Sequence, residues 1–152
     1  MLKKSGVLVF LLVFVISSTF VYAEAQYTAY HIYEGIPDSV WNIPLLHVGY
    51  DNYNKEFITL IRFDEDYTSL TDANLIINLY TRQNNDDSLA VDVLPVTEWS
   101  STISYSNQPA YGAVAASFEI IPSQTSYTIT IPLTSNAKGI ALKTNRRLAG
   151  NE

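Results

Sequence analysis

The chain has 152 residues, 47% of them hydrophobic and 16% charged, with 11 tyrosines and no cysteine. This is the size of one globular domain and too apolar for disorder. The missing cysteines exclude disulfide scaffolds, thiolate metal sites and cysteine nucleophiles. A net charge of −6 offers little attraction to a phosphate backbone, so nucleic acid is not an expected partner.

Residues 1–25 have the order of a secretory signal. Lys3 and Lys4 are followed by an apolar run through Phe20, and small residues close the segment. Cleavage is expected after Ala23 or after Ala25. The alternative, an uncleaved anchor, is set against the absence of a basic stop-transfer cluster downstream. Cutting after Ala23 removes two lysines and no acid, which takes the net charge from −6 to −8. The product is an exported chain with no membrane segment, which must be held by packing or a bound ion because it has no disulfide. No Asn-x-Ser/Thr sequon is present.

Residues 26–144 read as a single β domain, followed by a polar tail over 145–152. Strands are predicted at Tyr27–Tyr33, Leu45–Tyr50, Phe57–Phe63, Ala73–Thr81, Leu89–Val96, Val114–Ile121, Tyr127–Leu133 and Gly139–Lys143. Phe57–Phe63 is apolar on both faces, as a central strand is. Clusters of Asn and Asp at 51–54, 64–66 and 84–87 separate the runs, because these residues bond their own backbone in turns. The prolines fall at or near strand ends, where a missing N–H costs little. No 3.6-residue periodicity persists beyond about two turns. The expectation is an all-β, antiparallel β-sandwich of jelly-roll type with eight to nine strands.

Catalytic signatures are lacking. His31 and His47 have no companions at ligand spacing and read as ordinary strand residues; no zinc-peptidase, nucleophile-elbow or nucleotide-loop motif occurs. Asp64, Glu65, Asp66 and Asp92 include the carboxylates a glycosidase would need, but spacing does not oppose them across a cleft. Asp51-Asn52-Tyr53-Asn54 lacks the EF-hand order, so a calcium ion would have to draw Asp38, Asp51 and Asp64 from separate loops.

Aromatic residues are the other clue, since Tyr and Trp suit stacking on sugar rings or anchoring an interface. Tyr33, Trp41, Tyr50, Tyr53, Tyr105 and Tyr111 are the ligand-contact candidates, with core or edge packing as the alternative for each.

Two blocks and a strand between them carry a resemblance. The first is Tyr33-Glu34-Gly35-Ile36-Pro37-Asp38, then Trp41, Leu46-His47-Val48-Gly49-Tyr50 and Leu60-Ile61-Arg62-Phe63-Asp64. The second is Val96-Thr97-Glu98-Trp99-Ser100 followed by Ile103-Ser104-Tyr105-Ser106-Asn107-Gln108-Pro109, and the strand is Ala73–Tyr80. In this order they resemble the DNRLRE-domain family of secreted β-sandwich modules related to carbohydrate-binding modules. Ile58 stands where the family usually has Arg, and Ser104-Tyr105 replaces its Thr-Trp pair. The resemblance implies a secreted or cell-surface, noncatalytic module that binds polysaccharide. The alternative is a structural or adhesive surface subunit that associates with itself or with other surface proteins through the same aromatics.

Overall fold

In the computed structural model, residues 8–16, 27–41, 46–64, 72–83, 88–100, 102–132 and 137–145 are described. They form ten strands and no helix: β1 (Leu8–Ile16), β2 (Tyr27–Tyr33), β3 (Val40–Trp41), β4 (Leu46–Tyr50), β5 (Glu56–Phe63), β6 (Asp72–Gln83), β7 (Leu89–Val96), β8 (Ala116–Ile120), β9 (Ser126–Pro132) and β10 (Gly139–Thr144). The described residues contain no helix long and apolar enough to cross a membrane.

All the strand pairings are antiparallel. One sheet runs β8-β7-β10-β5 and continues through β2 to β3; the other runs β4-β1-β6-β9. The β4–β5 hairpin joins them. β2 pairs along one edge of β5 for its whole length, so β4 and β10 share the other edge: β4 at Phe57 and Glu56, β10 from Thr59 to Arg62. β5 therefore changes partner along that edge, from β4 to β10, while its two faces are both covered: Ile61 and Phe63 lie in the core between the sheets, and Ile58 and Leu60 lie in a second cluster on the outer face.

The core lies between the sheets. Leu46, Val48, Ala73, Leu75, Ile77, Ile129 and Ile131 come from one sheet, and Ile61, Phe63, Val91, Val93, Ile140 and Leu142 from the other. Alternation delivers them: β7 and β9 bury every second residue over most of their length, as a strand with one face on a core must.

A second, smaller cluster covers the outer face of the larger sheet. There Ile32, Ile58, Leu60, Val96 and Ala141 lie beneath Trp99, Ile103, Tyr105 and Tyr111 from the segment after β7. The Trp99 indole N–H donates to the Lys138 carbonyl at 3.2 Å, and Tyr111 bridges back to Val96. Gly139 permits this cover, because a methyl group there would collide with the Ile61 carbonyl and the Trp99 ring.

The sandwich agrees with the sequence expectation, and each of the eight predicted strands has a counterpart within two residues at either end. Two elements are additional. β3 has two residues, too few to show a period. β1 falls inside the segment read as a signal and pairs with β4 and β6 in the uncleaved chain. The cleavage positions Ala23 and Ala25, the residues Glu65, Asp66 and 84–87, and the tail 146–152 lie outside the described residues.

Candidate functional site

Three loops meet at one end of the sandwich. The β4–β5 turn is built by Asp51, whose Oδ1 accepts the backbone N–H groups of Tyr53 and Lys55, both at 2.8 Å. Asn54 takes the left-handed conformation at φ 60°, which Asn tolerates better than most residues. The β2–β3 loop is tied to this turn. Glu34 N–H donates to the Glu56 carbonyl at 2.9 Å, Glu56 N–H donates to Glu34 Oε2 at 3.1 Å, and Lys55 Nζ lies 3.5 Å from Glu34 Oε1. The third loop joins through Ser106, whose N–H donates to the Pro37 carbonyl at 2.9 Å and whose hydroxyl donates to Asp38 Oδ1 at 2.8 Å. The end is thus cross-linked by hydrogen bonds rather than by apolar packing.

Tyr53 occupies the tip of the turn with 84% of its surface exposed, while Ile36 on the β2–β3 loop and Val40 at the start of β3 are 46% and 42% exposed. The other candidate aromatics are placed differently. Tyr33 stacks on Phe57, with ring centroids 4.2 Å apart and planes 11° from parallel, packs against Gly35, and donates its hydroxyl to Asp51 Oδ2. Burial first, and then the Asp51 carboxylate, push the Tyr33 phenol up to about 12, so it stays a neutral donor. Trp41 is half-buried, with its ring edge-on to His31 at 4.8 Å.

Tyr50 corrects the sequence expectation: at 2% exposure its ring belongs to the interior and presents no face to a ligand. Tyr105 and Tyr111 are likewise engaged, closing the outer-face cluster as the alternative reading held. The Tyr105 hydroxyl serves a polar knot around Glu56, which is itself buried. Tyr105 donates to Glu56 Oε2 at 3.1 Å, Thr144 donates to Glu56 Oε1 at 3.1 Å, and Lys143 Nζ is 3.6 Å from Oε2. Tyr111 donates to Gln108 at 2.9 Å, and Lys143 stands 5.7 Å from the centre of its ring. Burial first, and then the Glu56 charge, raise the Tyr111 phenol. Nothing in the sequence marked Glu56 as the centre of this knot, because its partners are up to 88 residues away.

The two histidines converge. His31 is fully buried, its ring centroid is 4.6 Å from that of His47, and neither of its ring nitrogens has a hydrogen-bond partner among the described residues. Burial first, and then the neighbouring His47, pull its pKa down to about 4; burial lowers that of His47 as well. Both imidazoles are therefore neutral at pH 7 and pack as rings against Phe57.

The acids proposed for calcium are dispersed. Asp38 binds Ser106, Asp51 builds its own turn, and Asp64 accepts from Thr28 at 3.0 Å on the far end of β5. Among the described residues no group of three or more His, Cys, Asp or Glu is arranged to hold a metal ion. Asp92 sits on β7, where it accepts from Ser117 at 2.6 Å and Asn145 at 3.1 Å. Searches against family models, curated proteins and solved structures find no match to this chain.

Proposed function

We propose that the chain is an exported, noncatalytic β-sandwich module of jelly-roll type that binds a surface polysaccharide at the three-loop end. The observation that carries this reading is Tyr53: a ring 84% exposed at the tip of a turn whose backbone Asp51 holds in place. An exposed tyrosine face beside amide and carboxylate groups is the chemistry that recognises a pyranose, with stacking on the ring and hydrogen bonds to its hydroxyls. Asn52 and Asn54 flank Tyr53, Lys55 lies in the same turn, and Glu34 lies on the adjoining loop. The signal-like residues 1–25 and the resemblance to DNRLRE modules support export and the ligand class.

A glycan array tests the proposal. The exported protein should bind at least one polysaccharide saturably, and Tyr53→Ala should weaken that binding at least tenfold. Tyr80→Ala serves as the control, since Tyr80 is 73% exposed on β6 and outside the three loops. Binding that both variants leave unchanged would place the ligand elsewhere.

The second reading, an adhesive or structural subunit, is favoured by Ile36 and Val40, two exposed apolar side chains on the β2–β3 loop and the strand that follows it. Concentration-dependent assembly without sugar, abolished by Ile36→Ser, would support it over the first.

A further inference from the structure

The smaller sheet is completed by the segment that export would remove. β1 lies between β4 and β6. Val9 and Leu11 are opposite Val48 and Leu46, and Val13 and Val15 are opposite Ile77 and Leu75. Those four partners all belong to the core between the sheets. Because β1 is antiparallel to both neighbours, β4 and β6 run parallel to each other.

This geometry limits what can happen when β1 leaves. The two flanking strands stand two strand spacings apart, about 9–10 Å. Direct closure would need a parallel pair in a sandwich otherwise paired antiparallel, and would pull β6 across the core it covers. Left open, the slot exposes the backbone N–H and C=O groups of alternate β6 residues along the nine that pair with β1 between Asn74 and Gln83, the template that an added strand requires.

We propose that in the exported protein this slot accepts an extended apolar segment of a partner protein, about nine residues long and antiparallel to both β4 and β6. The inference rests on the export reading given above. β1 itself shows the chemistry that fits. Backbone hydrogen bonds set direction, aliphatic residues are required at the alternate positions opposite Val48, Leu46, Ile77 and Leu75, and the irregularity of β6 opposite Phe10 and Leu11 fixes the register. Among the described residues, a second copy's long apolar runs other than β1 already lie in β5, β6, β7 and β9.

The intact mass of the purified exported protein first establishes whether residues 1–25 are gone. A synthetic peptide spanning β1 between flanking lysines is then added, and amide hydrogen exchange is followed in β4 and β6. The expected result is at least tenfold slower exchange in both strands and a higher Tm with the peptide. A peptide carrying Lys in place of Val13 and Val15 should produce neither. A second measurement does not require the shortened chain to fold alone. A protease site is inserted before Gln26 in the full chain, the folded protein is cut, and the labelled β1 peptide should displace the original strand.

Three outcomes would overturn the proposal. Exchange in β4 and β6 that is slow without peptide and unchanged by it would mean that the slot closes on itself. Dimers formed without peptide, with protection along β6, would make the occupant a second copy. Retention of residues 1–25 would show that the slot is filled within the chain; that result alone would count against the export reading.

Discussion

The space between the sheets and the three-loop end are made of opposite materials. Between the sheets, Leu75, Ile77, Val91, Val93, Ile140 and Leu142 meet as aliphatic surfaces. At the loop end Asp51, Glu34, Ser106 and Asp38 hold three segments together by hydrogen bonds, and large apolar side chains point to solvent. The difference separates what holds the fold from what the fold presents. Substitutions inside should change stability, and substitutions at the tip should change binding alone. A third region lies between these extremes: the β2–β3–β4 seam, where a buried imidazole, His31, and a half-buried one, His47, lie among aromatic rings.

The largest effect is expected in the interior. Leu75 is fully buried, so Leu75→Ala removes apolar contact and leaves a cavity, at a cost of about 2–5 kcal/mol. Urea denaturation of wild type and variant checks this, and a loss under about 1 kcal/mol would mean that the sheets collapse around the gap more readily than close packing allows.

The seam should respond to pH. In an unfolded chain His31 titrates near 6.5, whereas in the fold burial and His47 bring it to about 4. Between those values the unfolded chain binds more protons, so the contribution is whole above about pH 6.5 and is lost as pH falls towards 4. A displacement of this size corresponds to about 3 kcal/mol. His31→Phe, which keeps an aromatic ring and removes two unpartnered nitrogens, should flatten the pH dependence of Tm in that window. An unchanged slope would assign the acid sensitivity to other groups.

How much was legible in the sequence follows the same division. β7 and β9 could be read because a single face meets the core and the period of two survives intact. β5 was readable for the opposite reason: apolar residues on both faces announce a strand covered twice. The loop end was legible only in part. Asp51 and the asparagines marked a turn around Tyr53, and Tyr50 fell at the end of the strand before it, but that strand position did not say whether the Tyr50 ring faces the interior or solvent. That distinction comes from the hairpin: Tyr50 pairs with Glu56 in the ladder, whereas Tyr53 lies in the loop beyond it. The histidine contact and the Glu56 knot were invisible for a related reason, since both are made by strands distant in sequence. β3 offered too few residues to show a period, and β1 offered a pattern that export and burial share.

Within the loop end, stability and binding should separate further. Asp51→Ala removes the acceptor for two backbone N–H groups and for the Tyr33 hydroxyl, with an expected cost of about 1–2 kcal/mol and a loosened turn. Exchange of the Tyr53 and Lys55 amides should quicken while the β6–β9 ladder stays protected. If instead the whole molecule loosens, the turn carries more of the fold than its exposed position suggests.

Tyr53→Ala should have the smallest effect on stability, within about 0.5 kcal/mol, because an exposed side chain has little contact to lose. Its value lies in that small number. Asp51 holds the turn through backbone amides at Tyr53 and Lys55, and those amides survive the substitution, so the loop should keep its shape when the ring is removed. A loss of glycan binding at unchanged Tm would then belong to the ring face itself. A matched fall in Tm would show instead that Tyr53 packs against its neighbours in solution, and the contrast between interior and tip would narrow to one of degree.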